Sequence, residues 1–126
     1  MGSEIADIDI IRQTQTAVRG PDGENRFITI VGSLKITSGG DSSAPEIYHC
    51  LIGPTLEPHQ VLGVSFLPSI AALDADLLGG AECSMDSYDA EYDADSGRVE
   101  ISLEMRLSGT MSVVTIVFSL TILAAA

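Results

Sequence analysis

A chain of 126 residues, 45% of them hydrophobic, is long enough to bury a core without disulfide or metal staples. Eighteen carboxylates stand against five arginines and the single Lys35, and a net charge of -12 excludes a nucleic-acid backbone or an anionic membrane surface as partner, since both would repel it. Cys50 and Cys83 are too few and too far apart in sequence for a disulfide framework, and read as buried thiols of a reducing compartment.

Met1 to Asp9 carries acids and no basic, apolar leader, so no export signal is expected. The expected location is cytoplasmic, or a virion assembled there. Ile5 to Val18, rich in Ile and Thr, predicts a first strand, and Arg19 to Asn25 is dense in turn-forming residues. Arg26 to Thr37 predicts the returning strand. Phe27, Thr29 and Val31 fall on one side of it and Ile28, Ile30 and Leu34 on the other, so both faces are expected to be covered. Gly39 to Pro45 reads as a loop.

Glu46 to Ile52 predicts a short strand stopped by Gly53-Pro54, and Leu56 to Gln60 a connector. Val61 to Leu67 predicts a further strand ending before Pro68. Ser69 to Leu78 is the one helix candidate: Ser69 can cap it, Ile70, Leu73 and Leu77 share a helical face, and Gly79 can end it.

Asp86 to Leu107 carries the clearest pattern. Val99, Ile101, Leu103, Met105 and Leu107 alternate with Arg98, Glu100, Ser102, Glu104 and Arg106, the period of a strand with one wet face. Tyr88, Ala90 and Tyr92 alternate in the same way with Asp89, Glu91 and Asp93, and Ala94-Asp95-Ser96-Gly97 supplies the turn between. The register puts Asp93 opposite Arg98 and Glu91 opposite Glu100, with Tyr88 and Tyr92 facing the core.

Leu107 to Ala126 holds no charge and is long enough for a membrane helix. Against a tail anchor stand Thr115, Ser119 and Thr121, a turn at Ser108-Gly109-Thr110, the lack of a basic anchor, and apolar residues at every second position from Val114 to Ile122. The reading is a buried strand. In sum, residues 1–126 are expected to form one all-β domain, an antiparallel sandwich or barrel of about seven strands with at most one short helix.

Candidate chemistry is sparse. Asp89, Glu91, Glu100 and Glu104 are the only metal candidates, as a patch that could hold calcium through carboxylate oxygens, but carboxylates on a flat strand seldom surround an ion. His49, Cys50, His59 and Cys83 lack zinc-site spacing, and His49 and Cys50 must point to opposite faces of one strand. No nucleophile elbow or phosphate loop is present, so no catalytic residue and no cofactor is assigned. The expected function is a non-enzymatic structural subunit that assembles with copies of itself through sheet surfaces, as virion, tail or filament components do. Its first and last strands, long and without proline or lysine guards, are the expected pairing edges. The alternatives are a small-molecule or glycan-binding β module and an acidic calcium-binding domain.

Overall fold

Residues 2–21, 23–37, 45–74, 82–108 and 113–125 are described by the structure, a computed structural model. They form β1 (Gly2–Glu4), β2 (Asp7–Gly20), β3 (Gly23–Thr37), β4 (Glu46–Ile52), β5 (Val61–Asp74), β6 (Glu82–Asp93), β7 (Arg98–Ser108) and β8 (Val113–Ala125), with one 3-10 turn at Pro58–Gln60. Two four-stranded sheets result, in the orders β1-β4-β7-β6 and β2-β3-β8-β5. Every pairing is antiparallel except that of the three-residue β1 with β4. The fold is all-β with seven long strands, as the alternation requires.

The core lies between the sheets. Ile101, Leu103 and Met105 of β7 are fully buried from the first sheet, and Ile28, Ile30 and Leu34 of β3 with Ile116, Leu120 and Ile122 of β8 from the second. They belong to one cluster of buried side chains. The uncharged segment after Leu107 takes the central place in its sheet as β8, hydrogen-bonded to β3 on one side and β5 on the other. No helix among the described residues is long and apolar enough to cross a membrane.

Only two connections are local hairpins. β6 and β7 meet at Asp93↔Arg98, and Gly97 takes the positive φ of 73° that this turn demands. β2 and β3 close more tightly than the Arg19–Asn25 turn expected, because pairing continues to Gly20↔Gly23. All other connections change sheet. The crossing from β4 to β5 is tied to the β6–β7 turn by three hydrogen bonds. Leu56 N–H donates to the Gly97 carbonyl (2.7 Å), the Tyr92 hydroxyl to the Leu56 carbonyl (2.6 Å), and Arg98 Nε to the Gly53 carbonyl (2.8 Å). Tyr92→Phe leaves the part-buried Leu56 carbonyl without that donor, and should lower the unfolding free energy by about 0.5–1.5 kcal/mol in urea denaturation.

The helix expected over Ser69 to Leu78 does not form across its described part: Ser69 to Asp74 continues β5. Residues 75–78 of that candidate lie outside the described residues, as do most of the Gly39–Pro45 loop and the Gly109-Thr110 part of the turn before β8. A bulge between Ile70 and Ala72 explains the misleading spacing. Ile70 stands opposite Ile116 and Leu73 opposite Val114, two residues further along β8, so the extra residue places an i, i+3 pair on one face. Helix and bulged strand share that signature. Pro68 does not end the strand, because β5 is an edge and can lack a donor on its outer side.

Two further expectations are corrected. The last strand is not an edge, since β8 is flanked on both sides. The second face of β3 is not covered within the chain: Phe27 and Val31 are 38% and 37% exposed.

Candidate functional site

The residues singled out as metal candidates all project from the outer face of the first sheet. Glu91 pairs with Glu100, Asp89 with Ser102, and Glu104 with Ser87. Only Glu91 and Glu100 are thus brought directly opposite each other, and like charges so placed cost stability. His49 lies beside this pair, its Nδ1 3.7 Å from a Glu100 carboxylate oxygen. Asp89 and Glu104 lie on different rows of the ladder, and no group of three or more His, Cys, Asp or Glu among the described residues could hold a metal ion.

The arginines of this face are engaged locally. Arg106 Nε meets Asp86 at 2.8 Å, and its guanidinium holds that carboxyl below the ordinary range. Asp93 accepts from Ser96 and is lowered for that reason, whereas Arg98 turns to the Gly53 carbonyl. The outer face of the first sheet is a polar, carboxylate-rich surface with Ile47 exposed beside Glu104.

The thiols do not meet. Cys50 stands opposite Ile101 and Cys83 opposite Leu107, on the two flanks of β7, and both are free. Burial pushes the Cys50 thiol up to about 12, so it stays a protonated, unreactive apolar group at neutral pH. His49 and Cys50 do point to opposite faces: Cys50 is buried and His49 is not. Of the two tyrosines expected in the core, Tyr92 is partly buried and hydrogen-bonded, while Tyr88 is 49% exposed. Tyr88 sits on an edge strand, where its ring meets Phe66 edge-on at 5.9 Å.

The outer face of the second sheet is of another kind. Reading across β3, β8 and β5, its rows are Thr29–Thr121–Ser65, Val31–Ser119–Leu67, Ser33–Val117–Ser69 and Lys35–Thr115–Ala72. Lys35 is the one charge in those rows. Leu67 and Val117 are 63% and 41% exposed, and Phe27 adds an exposed ring at the next row. Across β3, β8 and β5 these rows are mostly hydroxyls and apolar groups, and β2 borders them on the same face with Asp7 opposite Lys35, Asp9 opposite Ser33 and Arg12 opposite Val31. The sequence offered this signal in the small, weakly polar side of β8, but β5 could not be added to the surface until its pairing was known.

No protein-family model matches the chain, nor does any curated protein or solved structure.

Proposed function

We propose that the protein is a non-enzymatic structural subunit that assembles with copies of itself through its second sheet, in the manner of a virion, tail or filament component. The outer face of β3, β8 and β5, whose four central rows hold a single charge, Lys35, and no carboxylate, carries this reading. Copies of a -12 chain repel one another wherever carboxylates meet, so association is cheapest where charge is absent. Its Thr, Ser and Val side chains present little volume to obstruct a close approach. A ligand-binding interior has less support, because fully buried Ile, Leu, Val and Met side chains from both sheets occupy the space between them.

Sedimentation over micromolar concentrations is expected to give a mass of at least twice the 13.2 kDa chain. Leu67→Glu, which places a charge on the β5 side of the face at its most exposed apolar residue, should shift the distribution towards the single chain. A monomer at every concentration removes the reading, and stabilisation by a member of a small-molecule or glycan panel would favour a binding module in its place.

A further inference from the structure

We propose that the second sheet packs face to face against the same sheet of a second copy, about a two-fold axis across the Thr29–Thr121–Ser65 row. Leu67 of each copy then fills the space above Gly63 of the other. The inference rests on self-assembly through this sheet and deepens it by naming the symmetry and the fit.

Gly63 is the starting point. Glycine inside a strand is less stable than alanine there, and it often marks a place where other atoms approach closely. Gly32, Gly53 and Gly97 each have a reason within the chain. Gly53 and Gly97 take positive φ, and a Cβ on Gly32 would stand 2.5 Å from the Asp9 carbonyl oxygen. Gly63 has neither reason: its φ is not positive, and an added Cβ would meet nothing within 4 Å. It pairs with Leu123, which lies between the buried Ile122 and Ala124, so it belongs to the outer face of the sheet. Leu62 beside it is 53% exposed. Two rows along β5, on the same face, stands the opposite feature, Leu67, 63% exposed.

The hollow at Gly63 and the knob at Leu67 lie at equal distances, about 7 Å, on either side of Ser65. In a two-fold contact residue i meets j and j meets i. Rotation about an axis across the strands at Ser65 therefore sets both Leu67 side chains over Gly63 of the other copy. The same operation sets Phe27 over Val31, which are 38% and 37% exposed on β3. On β2 it sets Arg12 over Thr16, so no like charges meet there. A two-fold parallel to the strands, midway between β3 and β8, instead lays Leu67 on Arg12. Stacked sheets run within about 30° of each other, which keeps the rows near the axis in register. The arrangement also turns the first sheets outward. Asp89, Glu91, Glu100 and Glu104 of the two copies are then three sheet spacings apart, about 30 Å, against a Debye length of about 8–10 Å.

Sedimentation equilibrium on an exchange of knob and hollow tests this. Gly63→Leu, which brings two leucines together, and Leu67→Gly, which leaves a void, should each raise the dimer dissociation constant at least tenfold. The double variant, with knob and hollow exchanged, should restore it to within about threefold. An equimolar mixture of the two single variants should pair more tightly than either alone, since each contact then holds one leucine and one glycine. An unchanged far-ultraviolet circular dichroism spectrum verifies folding, and Gly63→Leu, which enters open space, decides by itself if Leu67→Gly folds poorly. If the unmodified protein associates and Gly63→Leu leaves its dissociation constant unchanged, or the double variant fails to recover, the arrangement is wrong and self-assembly stands. A protein that is monomeric at all concentrations removes both.

Discussion

Gly32→Ala is expected to lower the unfolding free energy by about 1–3 kcal/mol, a cost typical of overpacking in a closely fitted interior. Gly32 lies on β3 opposite Ile10, at the start of the β2 bulge. A Cβ there would stand 2.5 Å from the Asp9 carbonyl oxygen and 3.0 Å from the Phe118 ring. The ring could turn aside, but the carbonyl belongs to the backbone of the paired strand and can yield only if β2 moves away from β3. Chemical denaturation gives the magnitude. Amide exchange gives the place, with faster exchange in the first half of β2 before the rest of the sheet. Gly63→Ala is the control: it sits at a bulge on the opposite edge, nothing lies within 4 Å of its added Cβ, and no loss is expected. Equal loss in both variants would show that the close approach at Asp9 is not the cause.

Leu120→Ala should cost more, about 2–5 kcal/mol, the range for a fully buried leucine replaced by alanine. Leu120 is completely buried in the middle of β8, between the buried Ile30 of β3 and Phe66 of β5. Rigid backbones on both sides leave little scope for the cavity to close, so the loss belongs in the upper part of that range. Ser119→Ala changes the adjacent residue, which faces outward between Val31 and Leu67, and should stay within about 0.5 kcal/mol. The pair of midpoints in urea tests the fold directly. The difference between neighbours is what an inward and an outward position on one strand must show.

The legible part of the structure was the part fixed by local alternation. The inward set Val99, Ile101, Leu103, Met105 and Leu107 could be read off because side chains of an extended chain change face at every residue, and all five are buried. The Glu91–Glu100 and Asp93–Arg98 pairs followed from the turn at Gly97. Where a bulge adds one residue, the same logic misleads, and Ile70 with Leu73 looked helical for that reason. The candidate surface was half visible. Its β8 residues were apparent as a small, weakly polar side, but the role of Leu67 depended on pairing β5 with β8.

By itself the amino-acid order determined most of the strand content, the inward and outward sets along β7 and β8, the opposed faces of His49 and Cys50, and an interior closed by the uncharged final segment. Tertiary structure alone decided that β8 is central and β2 peripheral, and that a stretch of sheet without carboxylates lies across the middle rows of β3, β8 and β5. The division has a physical cause. Alternation is a property of each extended segment, whereas strand order is set by which apolar faces can be buried together, a sum over residues far apart in the chain.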